Sequence, residues 1–264
     1  MPKQRLDVFL VKRGFFPSRE RAKSEIMMGN VFVNNIRVDK PGTLVDINAE
    51  IQIREKSLPF VSRGGLKLKK ALSVFSVIVK NKVALDAGAS TGGFTDCLLK
   101  EGASKVYAVD VGYGQLDLSL RNNPRVINIE RKNVRFLCFE DIGELVDIIT
   151  ADLSFISLSK VFEPLFKLLK EEGDFIALIK PQFEVGRKEV KNGIVRDKKL
   201  HEKAITQVIE SANSIGLYCH GLTFSPIKGP KGNIEFLSWF KKIPNNVSGI
   251  EIEKVVEEAH KVLN

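Results

Sequence analysis

The sequence is poor in the residues that staple secreted proteins and hold metals. Its three cysteines, Cys97, Cys138 and Cys219, are odd in number and far apart, and its three histidines, His201, His220 and His260, are equally scattered. Without close Cys or His pairs there is no zinc or redox spacing, so reduced, buried thiols and no bound metal are expected. The same scatter gives no support to Ser-His-Asp or Cys-His nucleophilic chemistry. No apolar run reaches the roughly eighteen residues of a membrane-spanning helix. The stretch Met1 to Asp7 lacks an apolar signal core, and a soluble, cytoplasmic chain without a membrane partner is expected.

Acidic residues are also short relative to basic ones: Lys plus Arg number 41 against 32 for Asp plus Glu, a formal net charge of +9. That surplus favours a polyanionic partner. The 264 residues, 44% of them hydrophobic, suffice for one substantial core and a smaller domain beside it.

The smaller domain is read over residues 1–55. An apolar stripe from Leu6 to Val11 predicts a helix that ends at Gly14-Phe15-Phe16-Pro17, and Ser18 suits the N-cap of a second helix over 19–28. Val31-Phe32-Val33 and Ile36-Arg37-Val38 flank Asn34-Asn35, a two-residue hairpin turn, and Ile51-Gln52-Ile53 alternates as a third strand. Residues 56–62 are read as a linker, where Pro59 disfavours a helix across the join. From 63 to 264, strands near 83–86, 105–109, 126–129, 147–150 and 174–179 alternate with helical segments. Segments 217–225 and 233–240 then close the sheet as an antiparallel pair. The fold class is therefore α/β, Rossmann-like, behind a small α+β domain.

Within this pattern, Val83-Ala84-Leu85-Asp86 is a strand running into Gly88-Ala89-Ser90-Thr91-Gly92-Gly93 and a helix from Phe94. The spacing Asp-x-Gly-x-x-x-Gly-Gly differs from the dinucleotide Gly-x-Gly-x-x-Gly, and points to a ligand without phosphate, S-adenosylmethionine. Asp86 suits the ammonium of its amino acid. Asp110, ending the next strand, suits the two hydroxyls of its ribose. Gly88, Ala89, Ser90, Thr91, Gly92, Gly93 and Phe94 complete the candidate cofactor set.

Ligands of such sheets lie at the carboxyl ends of the strands. Asp152 follows Asp147 to Ala151, Lys180 follows Phe175 to Ile179, Glu235 lies in Gly229-Pro230-Lys231-Gly232-Asn233-Ile234-Glu235, and Lys67 sits in Ser62-Arg63-Gly64-Gly65-Leu66-Lys67. The order Lys-Asp-Lys-Glu resembles the catalytic tetrad of FtsJ-like ribose 2′-O-methyltransferases. The surrounding words, Asp152 to Leu158 and Lys180-Pro181-Gln182-Phe183-Glu184 among them, closely resemble the TlyA family over essentially the whole chain. Residues 1–55, with Gly29-Asn30-Val31-x-Val33-Asn34, resemble the S4-like RNA-binding domain.

The resemblance implies a class I methyltransferase fold and S-adenosylmethionine-dependent 2′-O-methylation of a cytidine in 16S and/or 23S ribosomal RNA, within ribosomal subunits. It makes Lys67, Asp152, Lys180 and Glu235 the catalytic candidates. Arg5, Arg19, Arg21, Lys23, Lys40, Arg63, Arg131 and Phe155 become the RNA-binding ones, Phe155 by stacking on an unstacked base. The chain is expected to act as a monomer. A ribose hydroxyl is a very weak acid, so such a site must align the attack and manage one proton, either with Lys180 as base or as a charge facing the alkoxide. The family also carries a haemolysin label, but a pore former needs spanning helices or many amphipathic strands, and the apolar segments here are assigned to a globular sheet. Lys231 and a linker without tryptophan depart from the family's commoner pattern, and both bear on which RNA is handled.

Overall fold

A computed structural model describes residues 3–27, 29–53, 59–245 and 249–263. The chain divides into two compact units, Met1–Leu58 and Pro59–Asn264. Residues 54–58, which include the first three of the segment read as the join, and Met28, read as the end of the second helix, lie outside the described residues.

In the first unit, β1 (Lys3–Arg5) leads into α1 (Leu6–Lys12) and α2 (Arg19–Met27), then β2 (Val31–Val33), β3 (Ile36–Arg37), β4 (Leu44–Asp46) and β5 (Ile51–Ile53). Ser18 Oγ accepts the Arg21 N–H at 3.2 Å at the start of α2. The helix ends in a left-handed Gly29, with Asn30 N bonded to Glu25 O and Gly29 N to Ile26 O, a Schellman pattern. Asn34 and Asn35 both take positive φ and pair Val33 with Ile36, the two-residue hairpin expected. The sequence pattern did not reveal β1 and β4, which pair with each other antiparallel. Leu6, Phe9 and Leu10 of α1 bury against Ala22 and Ile26 of α2, Val31 and Val45.

Asp7 is fully buried in this small core, and two arginines hold it. Arg5 lies 3.1 Å and Arg19 2.8 Å from its two carboxylate oxygens. The Arg5 hydrogen bond outweighs burial and lowers the carboxyl from 3.8 to about 2.

The second unit comprises α3 (Gly64–Phe75), β6 (Val83–Ala87), α4 (Gly93–Lys100), β7 (Lys105–Val109), α5 (Leu118–Arg121), β8 (Val126–Ile129), α6 (Phe139–Ile142) and β9 (Val146–Ala151). It continues with α7 (Phe162–Phe166), β10 (Leu169–Ile179), α8 (Pro181–Glu184), α9 (Lys198–Asn213), β11 (Tyr218–Phe224), β12 (Phe236–Lys241) and α10 (Ile252–Leu263). One seven-stranded sheet runs β11-β12-β10-β9-β6-β7-β8, parallel from β10 to β8 and antiparallel at β12 and β11.

Alternation along the buried strands builds two cores. Leu85, Ile149, Phe175 and Ala177 join residues of α7, α9 and α10 on one face, while Ala84, Ile148, Ile176 and Leu178 join α3 and α4 on the other. Both faces being covered explains why these strands read as continuous apolar runs. Two details correct the sequence reading. Strand β12 starts at Phe236, because the buried Asn233 leaves the strand path to bond Val195 N and Gly193 O. Cys138 is exposed, at the N-cap of the short surface helix α6, whereas Cys97 and Cys219 are buried.

Asp7→Asn is expected to lower the denaturation midpoint of the first unit at neutral pH. The wild-type advantage is present above pH 3.8 and lost as pH falls through about 2, because the native carboxylate must then be protonated. Denaturation of residues 1–58 in the intact chain, followed by amide exchange at several pH values, measures it.

Candidate functional site

A cavity of about 1160 Å³ opens at the carboxyl edge of the sheet, lined by Gly88, Ser90, Asp110, Asp152, Phe155 and Gln182 among others. The glycine loop turns sharply there. Gly88 has φ +86°, and a Cβ would lie 2.8 Å from the Asp152 carbonyl oxygen, so only glycine fits. The loop is not a phosphate cradle. Gly88 N and Ala89 N both donate to Val109 O, Ser90 N to Asp110 Oδ2 and Gly92 N to Ala89 O. Asp110 also accepts the Gly112 N–H at 2.7 Å; each oxygen keeps a lone pair for a hydroxyl. With the apolar walls Val111, Val134 and Leu153, this donor set fits a nucleoside bearing vicinal hydroxyls and no phosphate.

The other cofactor candidates lie elsewhere. Asp86 is fully buried, its oxygens accepting Thr95 Oγ1 at 2.6 Å and Thr150 Oγ1 at 3.0 Å, and burial raises its carboxyl to about 6. It stands outside the cavity lining, where its two hydroxyl partners make it a brace of the strand-to-helix turn. Ala89 and Phe94 belong to the core packed on α3 and α4. Gly92 presses on Leu116 and Leu120, and Gly93 on Ser62 and Gly65, because α4 must close on its neighbours. Thr91 is exposed and not part of the lining.

The four Lys and acid candidates form two ion pairs. Lys180 Nζ is 2.7 Å from Asp152 Oδ1 and 2.9 Å from Ser154 Oγ, which accepts its hydrogen bond. Lys67 Nζ donates to Glu235 Oε2 at 2.6 Å, both side chains nearly inaccessible. Sheet register explains the grouping: Ile179 pairs with Phe236 and Ala177 with Ala151, so Glu235, Lys180 and Asp152 flank the ends of three adjacent strands. Asp152 lines the cavity, and Lys67, Lys180 and Glu235 stand behind that lining.

Among the RNA-binding candidates, Arg5 and Arg19 are tied to Asp7 and Arg21 to Glu25 at 2.8 Å, each with about half its side chain exposed. Lys23 is half-buried and Lys40 exposed; Arg63 occupies the N-cap position of α3 without a side-chain capping bond. Arg131, at φ +57°, holds its guanidinium 4.3 Å from the centroid of the Tyr113 ring. Phe155 is 91% exposed at φ +64°, its ring 5.2 Å from Phe183. A core role for Phe155 is excluded.

Sequence reasoning missed Ser154, Gln182, Glu184 and Asn133. Gln182 Oε1 is a buried acceptor with no donor among the described residues, and Asn133 lines the cavity while capping Arg135 N. Their signal was position just past a strand end: Ser154, Gln182 and Glu184 lay in the two long words around Asp152 and Lys180, and Asn133 follows β8.

A parallel sheet closed by an antiparallel pair, with a nucleoside-fitting glycine loop at its carboxyl edge, defines a class I methyltransferase. A family model described as FtsJ-like methyltransferase matches residues 60–242, and one described as S4 domain matches residues 4–51. The chain belongs to the FtsJ-like methyltransferase family. It is 44% identical to the Mycobacterium tuberculosis protein named "16S/23S rRNA (cytidine-2'-O)-methyltransferase TlyA", over 90% of this chain and 89% of that one. It is equally similar, at 44%, to "Hemolysin A" of Brachyspira hyodysenteriae, over 89% and 99% of the two chains. A solved structure described as "Putative hemolysin from Streptococcus thermophilus" superimposes with a TM-score of 0.79 at 46% identity, covering 99% of this chain and 97% of that one.

Between pH 6 and 3.8 the folded protein binds a proton at Asp86 that the unfolded chain does not, so this group adds stability on acidification. Relative to Asp86→Asn, the wild type is expected to gain about 1–3 kcal/mol from pH 7 to pH 4. Denaturant unfolding of both proteins across that range measures the difference.

Proposed function

We propose that the chain transfers a methyl group from S-adenosylmethionine to the 2′-hydroxyl of a cytidine in ribosomal RNA, in the small subunit, the large subunit or both. The observation that carries this reading is Lys180, held by Asp152 and Ser154 beside a cavity roomy enough for a nucleoside cofactor and a nucleotide, on an FtsJ-like frame. The reading divides the chain into an RNA-holding domain over 1–55, a linker over 56–62 and a methyltransferase domain over 63–264, working as a monomer in the cytoplasm.

Gly88, Ser90 and Asp110 are the residues suited to hold the cofactor, Asp110 by accepting the ribose hydroxyls. When bound, S-adenosylmethionine supplies an activated methyl group on a sulfonium. Lys180 is the group that meets the 2′-hydroxyl. Asp152 and Ser154 fix its Nζ, so no reorganisation is needed as negative charge develops on the attacking oxygen. Lys67 of α3 and Glu235, just before β12, neutralise each other behind that edge and keep it in register. Phe155 and Arg131 present a ring face and a cation to the target nucleotide and its backbone. The haemolysin names of two relatives find no matching feature: among the described residues no helix is long and apolar enough to cross a membrane.

Labelled methyl transfer to unmodified small and large subunits, followed by nuclease digestion, tests the reading. Wild type is expected to leave label in a nuclease-resistant dinucleotide, and Lys180→Ala to lose about 10²–10⁴-fold in rate with cofactor binding retained. Lys180→Arg keeps the positive charge but cannot give up its proton. Loss in both variants assigns Lys180 as the base, and retention in Arg assigns it as a charge. Equal transfer by wild type and Lys180→Ala overturns the proposal.

A further inference from the structure

The exposed Phe155 sits on a loop that is pinned on both sides. Upstream, Asp152 and Ser154 are bound to Lys180. Downstream, one carboxylate takes two donors: Ser157 Oγ–H donates to Glu184 Oε2 at 2.6 Å, and Leu158 N–H donates to Glu184 Oε1 at 3.1 Å. Ser157 has a single hydroxyl proton, and it is spent on Glu184. In the 2.8 Å contact between the Ser157 and Ser159 hydroxyls, Ser159 is therefore the donor. Phe183, one residue before Glu184, backs the Phe155 ring.

Lys180 and Glu184 lie at the two ends of the same short turn, α8 and its N-cap. The turn thus straps the 152–158 loop at two points, with the left-handed Phe155 at the apex between them. A phenylalanine at φ +64° is strained and persists only where its surroundings hold it. Burial raises the Glu184 carboxyl, and the two donors oppose that shift.

We propose that Glu184 is a positioning residue for the target nucleotide. By clamping Ser157 and Leu158 it holds the loop in the one conformation that presents Phe155 to a base while Lys180 faces the ribose. The inference rests on the reading of Phe155 as a nucleotide contact. It assigns Glu184 no part in the chemistry and no contact with substrate.

Steady-state methyl transfer with ribosomal subunits tests it, read alongside cofactor affinity and amide exchange at Leu158 in the free protein. Glu184→Ala is expected to speed exchange at Leu158 and to cut kcat/KM for RNA about tenfold or more, chiefly through KM, with cofactor affinity unchanged. Glu184→Gln can accept from Leu158 N–H and donate to Ser157 Oγ, so it is expected within about threefold of wild type. Ser157→Ala, a smaller change, loses one of the two bonds and is expected to fall between them.

The decisive comparison is Phe155→Ala in the Glu184→Ala background. If the clamp acts through Phe155, the second substitution costs little beyond the first. Losses that multiply, a Glu184→Ala enzyme with wild-type kcat/KM, or a Glu184→Gln enzyme as impaired as Glu184→Ala would each overturn the proposal. A silent Phe155→Ala on its own overturns the nucleotide contact beneath it, and the proposal with it. Methyl transfer dependent on Lys180 would survive that result.

Discussion

Charge withdrawn from water is the constraint on which the second unit depends. Lys67, Lys180 and Glu235 are each less than a tenth exposed, and Asp152 Oδ1 is buried. An unpaired ion in such surroundings costs several kcal/mol, so each is brought against a counter-ion: Lys67 donates a hydrogen bond to Glu235, while Lys180 lies within ion-pair distance of Asp152 Oδ1 and gives its hydrogen bond to Ser154. The sheet supplies that geometry through register. With Phe236 opposite Ile179 and Ala151 opposite Ala177, the residues that flank these strand ends come together without long side-chain excursions. The same demand reaches into the connections: a Cβ at Gly229 would collide with the Glu235 carboxylate, so the loop before β12 must carry glycine there.

The supports behind this edge are polar groups, each with its partner. Asp86 is braced by two threonine hydroxyls, Asn233 by two backbone groups of the 193–195 turn, and Val195 O by His201 at 3.0 Å. Because Val195 O can only accept, His201 carries its proton on Nε2, and its Nδ1 accepts from His260 Nε2 at 2.9 Å. Burial lowers His201 to about 4, which keeps the ring neutral and the pairing intact at ordinary pH. The turn beside Glu235 is thus tied to α9 and α10, far from it in sequence.

Much of this was legible in the residues. The parallel strands declared themselves as apolar runs ending in acids, and the hairpin at Asn34-Asn35 and the cap at Ser18 rest on local backbone chemistry. What escaped was whatever depends on direction. Strand pattern marks Asp86 as a strand-end acid but not that two hydroxyls beneath the loop claim it. Phe94 reads equally well as loop or as core. The β1–β4 pair is fixed by contacts across the chain, whereas α10 did carry a local signal, Ile252, Val255, Val256 and Ala259 at helical spacing, that the sequence reading passed over. Glu184 lay in plain view within a quoted word, yet its work is to reach across to another loop, which no spacing along one segment reveals.

The clasp of Arg5 and Arg19 on Asp7 changes what the first unit offers a polyanion. Two guanidiniums around one carboxylate that stays ionised at ordinary pH amount to a single net positive charge, already oriented and already partly stripped of water. A phosphodiester settling on that face would displace fewer condensed counterions than two free arginines would release, so log K against log salt would slope less steeply than a count of basic residues suggests. Part of the basic surplus of the first unit is thus traded from long-range attraction into fixed placement.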